Sequence, residues 1–461
     1  MQKWKGEINI MVIHVMDGDI FITDFNAPEI RDIFDEKSVV ESWLMFEGIL
    51  AEVQGELGII SLKVAKEIKA KASLKHVKFE RIVEINSKVK LASVATIRAL
   101  AEVCEKDASE YVHYGSCSPE LFENTLAFRI RKTMDIFERE LHTIRSLLIR
   151  LADEHKHTLM VDRSHGQQGN PTTFGLVAGI WSDAIAKHIE RFQESRKRIL
   201  MGSLKGAFGN HASYYAIAGE KCLEMEKQVL KKLGLYPSRI SIRRHMERFA
   251  EFLNLLSLLS ITFEKICDDI FFQQRNEIGE LEEPFDSENQ IGSSTLPHKR
   301  NPVFSEAIIA WSKKIRSNAS AFSETHMRDS HDIIGFAMED IIIPETCILT
   351  GSILNSAKYI LGNLKVKKDA MLKNLKLTNG LVMAEALMFA LSKKTKKKQT
   401  AHYIFHKIAM ESFEKCIPFN QCILENKDIC IHLTKKEIQN LLNPENYLGM
   451  NDECIENIIR S

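Results

Sequence analysis

The 461-residue chain has no surplus of charge of either sign. Lys+Arg and Asp+Glu both count 62, so the formal net charge is zero. A general binder of nucleic acid or of a membrane surface carries a basic excess, so this balance argues against both, while leaving room for a local basic pocket. A neutral chain of this size also tends to associate, which suits an oligomer. The nine cysteines, from Cys104 to Cys454, include no CxxC pair. Disulfide frameworks and zinc sites need tighter spacing, so reduced thiols in a cytoplasmic protein are expected. No apolar run reaches the roughly 18 residues of a membrane span. The N-terminal run, Ile8 to Val15, is broken by His14 and has no small-residue cleavage site. A soluble protein without a removable signal is expected, with a short strand pair around Asp17-Gly18. Elsewhere strand-like alternation is nearly absent, and there is neither an internal repeat nor a low-complexity linker.

What is present is helical periodicity. From Pro28, apolar residues recur at three- and four-residue spacing as far as Gly58. In "YVHYGSCSPELFENT" a glycine-serine break precedes a very long helix, with Ser118 as a plausible N-cap and Pro119 at the first helical position. Similar long segments begin near Thr172, Ser238, Val303 and Asp340. Five helices of about 25 to 38 residues exceed the usual globular helix of about 11, and they are stable when they bury stripes against each other in a bundle. The stretch Leu253–Ile261 is apolar on more than one face, which places it at the centre of the bundle or of an oligomer. The lysine-rich run Lys393–Lys398 lacks interleaved aromatics and reads as a solvated turn between two helices.

Three polar stretches interrupt the helices. "GSSTLPHKRNP", residues 292–302, brings hydroxyl, ammonium, amide and backbone N–H groups into one short loop. Gly292 permits close backbone approach, and Lys299 and Asn301, two apart in an extended loop, can face one anionic ligand. "RSHGQQGNPTTFG", residues 163–175, carries His165, a group able to exchange a proton near neutral pH. "GSCSPELFENT", residues 115–125, offers hydroxyls and a helix start that can hold a carboxylate.

Together the three resemble the fumarase/aspartase superfamily. "GSSTLPHKRNP" is similar to its signature loop Gly-Ser-Ser-X-Met-Pro-X-Lys-X-Asn-Pro, with Leu296 in place of Met. "SHGQQGNPTTFG" is similar to its Thr-His-Gly-Gln block, and "GSCSPELFENT" falls where its Thr-Ser-X-Asp block belongs. The resemblance covers roughly residues 26–461. It implies an all-α, L-aspartase-like fold of three helical domains, 1–116, 117–364 and 365–461. The central domain's five long helices would join those of three other subunits in a 20-helix homotetramer core, with each active site assembled from three subunits. The implied reaction is β-elimination releasing fumarate from a substituted succinate, with no metal or organic cofactor. By the same resemblance Ser293 is the base and His165 the acid. Lys299 and Asn301 grip the carboxylate whose charge grows, and Ser294, Gln167, Thr173, Ser118, Cys117 and Arg328 bind or orient the substrate. A serine hydroxyl serves as base only where N–H groups and cations stabilise its alkoxide.

"PHKRNP" resembles the branch holding adenylosuccinate lyase and 3-carboxy-cis,cis-muconate cycloisomerase. "NGLVMAEALMFAL", "NPENYLG", "PETCILTG" and "PEIRDIF" are similar to the cycloisomerase, whereas His165 is a feature of the lyases. The lyases' Arg-Tyr near the N-terminus is missing, and Leu91-Ala92-Ser93 stands where they have His-Asp. A second imidazole is therefore missing or supplied by a residue such as His331. Cys117, Glu120, Glu123 and Asn124 depart from the third block. Glu339-Asp340, before "IIIP", are expected to repel a phosphate dianion. These departures point to a small dicarboxylate other than the nucleotide, with a cycloisomerase or a non-catalytic homologue as alternatives.

Overall fold

The computed structural model describes residues 15–18, 20, 25–240, 245–325 and 333–460. The fold is all-α, as the periodicity predicts. The five long helices expected from the sequence are Ser118–Glu154, Phe174–Ile199, Glu247–Gln274, Val303–Ser323 and Ile333–Gly362. The first and fourth begin where the sequence places them. The second begins two residues after Thr172, because Thr172 and Thr173 complete a strand. The third begins at Glu247 rather than near Ser238, since Tyr236–Pro237 form a short strand paired with Met201–Gly202. The last begins at Ile333, because its apolar pattern continues ahead of Asp340. Val303–Ser323 has 21 residues, fewer than the expected 25.

The apparent single helix from Pro28 is two, Pro28–Phe34 and Glu36–Glu56. Asp35 divides them by taking extended dihedrals and accepting from the Lys37 and Ser38 N–H groups, an N-cap in mid-pattern. Past the second helix, Gly58 adopts φ +67°, the left-handed conformation that glycine favours. In the lysine run, one helix ends at Thr395, Lys396 turns through φ +58°, and the next starts at Lys398. Around Asp17-Gly18, where a strand pair is expected, Val15–Asp17 form a single 3-10 turn and Gly18 a bend, and the flanking residues 8–14, 19 and 21–24 lie outside the described residues.

The chain divides into two compact units, and the boundary falls within each of these five helices. The first comprises residues 1–140, 188–263 and 310–356. Its N-terminal helices enclose a core including Leu44, Ile68, Val77, Ala95 and Leu100. Gly55 lets Glu36–Glu56 lie against Leu62–Lys71, because a Cβ there would meet the Ala65 Cβ at 2.4 Å. The Leu253–Ile261 stretch buries Leu253, Leu256 and Leu259, while Leu258 and Ile261 remain about half exposed, at 46% and 49%.

The second unit comprises residues 141–187, 264–309 and 357–461. Its C-terminal helices close around Leu387, Phe405, Phe419 and Ile438. A separate cluster of Val161, Leu375, Val382 and Met383 seats an antiparallel hairpin, Leu159–Ser164 with Gln167–Thr173. This is the largest sheet among the described residues and the chief departure from the near-absence of strands read from the sequence. Its strands bury Met160 and Val161, and Pro171 to Thr173, in succession, so they carry no period-two signal.

Candidate active site

The serine loop is built in the second unit, between the Glu247–Gln274 helix and the start of Val303–Ser323. Ser293 Oγ accepts from the backbone N–H of Leu296 at 3.0 Å and, more weakly, of Thr295 at 3.4 Å. Two amide dipoles therefore already point at the oxygen expected to carry negative charge. The Lys299 N–H donates to the Leu296 carbonyl, tightening the same turn. Asn301 Nδ2 donates to the Gly292 carbonyl at 2.9 Å, so its amide braces the backbone of the loop. Gly292 is required there: a Cβ would lie 2.0 Å from the Lys299 carbonyl oxygen. Ser293 is half-buried, whereas Ser294, His298 and Lys299 are exposed.

Acidic residues that sequence reasoning did not single out hold the base of this loop. Glu282 accepts from Arg300 at 2.9 Å and pairs with Lys367 at 2.5 Å. Burial would raise its carboxyl, but these cations hold it below the ordinary range. Glu283 is buried and accepts from the Phe304 N–H, the Ser305 N–H and the Ser305 hydroxyl, capping the Val303–Ser323 helix. Burial pushes its pKa up in spite of those bonds. An acidic pair before a proline carries no distinctive spacing, so only the structure exposes its part.

His165 and Gly166 form the two-residue turn of the hairpin, with φ of +53° and +74°, and Ser164 pairs with Gln167 across it. Positive φ at both positions marks the tight turn that matches strand twist. The tip presents His165 and Gln167 to solvent. Below it, Arg163 makes a two-pronged contact to the fully buried Glu280 at 2.8 and 2.6 Å, and Asn374 Nδ2 donates to the same carboxylate at 2.8 Å. Gln168 Nε2 donates to the Asn374 carbonyl at 2.9 Å. The imidazole therefore sits on a fixed stalk. Among the described residues no hydrogen bond joins His165 or Gln167 to Ser293. Thr173, expected to orient substrate, has no exposed surface. Its hydroxyl accepts from the Leu176 N–H and, at 3.5 Å, from Asn451 Nδ2. In the protomer Thr173 therefore caps the Phe174–Ile199 helix.

In the first unit, Ser118 Oγ accepts from the buried Ser93 hydroxyl at 2.9 Å. Ser93 thus engages this stretch from the segment Leu91-Ala92-Ser93, and Leu91, two residues before it, is exposed. Glu120 turns inward, accepting from the Gly206 N–H at 2.7 Å and the Tyr214 hydroxyl at 2.8 Å. Burial raises its pKa against those bonds. Asn124 holds Ser203 through both its amide groups, with Nδ2 donating to the carbonyl and Oδ1 accepting from the N–H. The departures at 120 and 124 are therefore structural pairs of the stretch, and they leave Cys117 and Ser118 half-buried at its surface. Arg328 and His331 lie outside the described residues.

A family model described as "Lyase" matches residues 23–317, and one described as "Adenylosuccinate lyase C-terminus" matches residues 380–458. The chain belongs to the lyase family of the fumarase/aspartase superfamily. This lyase is 40% identical to an adenylosuccinate lyase of Methanocaldococcus jannaschii, over 98% of its own length and 96% of that relative's. It is 34% identical to an N-acetyl-S-(2-succino)cysteine lyase of Dickeya dadantii, over 98% of both chains. Among solved structures, a fumarate lyase from a Mesorhizobium species superposes with a TM-score of 0.86 at 26% identity, covering 95% of this chain and 98% of the other. A 3-carboxy-cis,cis-muconate lactonizing enzyme from Pseudomonas putida gives 0.85 at 25% identity, covering 96% and 98%. The lyase is therefore an enzyme of the succinate-eliminating kind.

The pair Glu339-Asp340, expected to repel a phosphate, is split between core and surface, with Asp340 exposed. Glu339 is buried, and its surroundings include the charges of Glu123, Arg248 and Arg129. Glu339 belongs to the helical core of the first unit, which leaves Asp340 as the carboxylate of the pair open to solvent.

Proposed function

We propose that this lyase releases fumarate from a succinyl compound whose leaving group is joined through nitrogen or sulfur. Ser293 takes a proton from the carbon next to one carboxylate. The electron pair left on carbon delocalises into that carboxylate, giving a doubly charged enediolate. It then returns to form the fumarate double bond as the bond to nitrogen or sulfur breaks. The departing heteroatom keeps its bonding pair and receives a proton from His165. Lys299 stabilises the carboxylate charge that grows in the transition state, and Asn301 joins it when the loop closes. Ser294, Gln167, Cys117, Ser118 and Arg328 are assigned to substrate binding. Relatives named for adenylosuccinate and for a succinylated cysteine make an amine or a thiol the leaving group of choice.

The observation that carries this reading is the Ser293 oxygen, held by the Leu296 and Thr295 amides inside an otherwise intact signature loop. Because His165 and Ser293 share no bond in the protomer, the working site is proposed to form in a cytoplasmic homotetramer, each site drawing its stretches from three subunits. The division into domains 1–116, 117–364 and 365–461 is proposed to be the functional one, with the core clusters at Val40–Ala108 and Leu387–Ile438 supporting its outer parts. Neither a nucleic acid nor a membrane partner is proposed, and no helix among the described residues is long and apolar enough to cross a membrane.

The test is to offer adenylosuccinate and N-acetyl-S-(2-succino)cysteine separately and follow fumarate by its ultraviolet absorbance. Fumarate should form from one of them and fall by about three orders of magnitude or more in Ser293→Ala. Full activity in both Ser293→Ala and His165→Ala would overturn the assigned roles. Lactone formation from 3-carboxy-cis,cis-muconate without fumarate release from either compound would favour the cycloisomerase.

A further inference from the structure

Gln274 is the last residue of the Glu247–Gln274 helix, and it stands at the neck of the serine loop. Its side-chain Oε1 accepts from the Glu283 N–H at 2.8 Å, and its Nε2 donates to the Arg300 carbonyl at 3.1 Å. One planar amide thus ties the strand entering the loop to the strand leaving it. Both stems are held again by charge. Glu282 grips Arg300 and Lys367, and Glu283 caps the helix that follows. Farther out, Asn301 crosses the waist of the loop to the Gly292 carbonyl. Beyond the neck the loop surface is exposed, and the Ser293 cradle depends on bonds within the loop alone.

We propose that Gln274 is a positioning residue for the elimination. It touches no reacting atom. By pinning both stems it fixes where the loop starts and ends, so that closure over a substrate moves a short arch about a rigid base. Ordering a free segment at each turnover costs conformational entropy, and a closed neck has lost that entropy beforehand. Gln suits the place because each stem offers one unsatisfied backbone group, a donor on one side and an acceptor on the other. A carboxylate or an ammonium would match only one of them. This inference rests on the reading of Ser293 as the base.

The test uses the full-length assembled enzyme carrying Gln274→Ala and Gln274→Glu. Amide hydrogen exchange across residues 284–300 should accelerate in Gln274→Ala, with exchange elsewhere and the assembly state unchanged. Its kcat should fall by about 10- to 100-fold while KM stays within about twofold, the mark of a misplaced base rather than lost binding. Gln274→Glu keeps the acceptor for Glu283 but sets a carboxylate against the Arg300 carbonyl. Its kcat relative to the parent should therefore recover as pH falls and the carboxyl becomes a donor. Unchanged exchange in Gln274→Ala would overturn the proposal, as would accelerated exchange with unaltered kcat. If Gln274→Ala did not assemble, the acid recovery of Gln274→Glu reads the same bond, and its absence would also overturn the proposal. An active Ser293→Ala variant would instead strike the base assignment, and the exchange result would still report on the brace.

Discussion

At the scale of single residues, the site depends on atoms that the sequence shows only indirectly. Ser293, Lys299 and Asn301 are legible because their order and spacing are specific. That Asn301 donates to Gly292 is not, since a side-chain contact across the loop depends on a fold the spacing does not encode. Gly292 offers a sharp test of that contact. Gly292→Ala would drive a Cβ to 2.0 Å from the Lys299 carbonyl, so the loop waist must open. Fumarate release should drop steeply, while the thermal midpoint of this exposed segment's parent fold moves little; equal losses of both would show that the loop supports the whole unit. His165 occupies a turn position with φ of +53°, where Asn or Gly is the easier residue. His165→Asn should therefore keep or raise the thermal midpoint while removing the proton donor, and a fall in midpoint would contradict the turn argument.

At the scale of elements, helical content and the start of Ser118–Glu154 and Val303–Ser323 follow from periodicity and capping. The hairpin carrying His165 does not. Its strands are short, and Gln167, Gly169 and Asn170 give no alternation of strong contrast. The burial of Thr173 escapes the sequence for a related reason. Next to a polar block it reads as a substrate ligand, but two residues of strand carry it below the surface, where it caps Phe174–Ile199. Thr173→Val should lower stability by about 1 kcal/mol through loss of that cap, measured by chemical denaturation, with kcat nearly unchanged. A large kcat loss at normal stability would return Thr173 to the substrate.

At the scale of the whole molecule, buried charge sets a pH dependence. Burial raises the Glu339 carboxyl from 4.5 to about 8, with Glu123 adding to the effect and Arg248 opposing it. The folded protein then keeps a proton that the unfolded chain has lost, so stability declines as pH climbs from about 4.5 to 8. Glu339→Gln should flatten the thermal midpoint across that window, with its largest benefit at the alkaline end. An unchanged slope would assign the dependence to other groups. The apolar texture of Leu253–Ile261 was legible as a buried position, but whether a protomer or a neighbour covers it depends on a partner the sequence does not spell out. In the protomer, Leu258 and Ile261 stay half open to water. Under the shared-site reading, Leu258→Glu should yield smaller, inactive particles by light scattering, and a full-sized active variant would contradict that reading. The same open stripe bears on how the enzyme must be handled at the bench. Specific rate should sag as the preparation is diluted and climb again on concentration, so a turnover number taken at a single dose would count surviving assemblies along with chemistry.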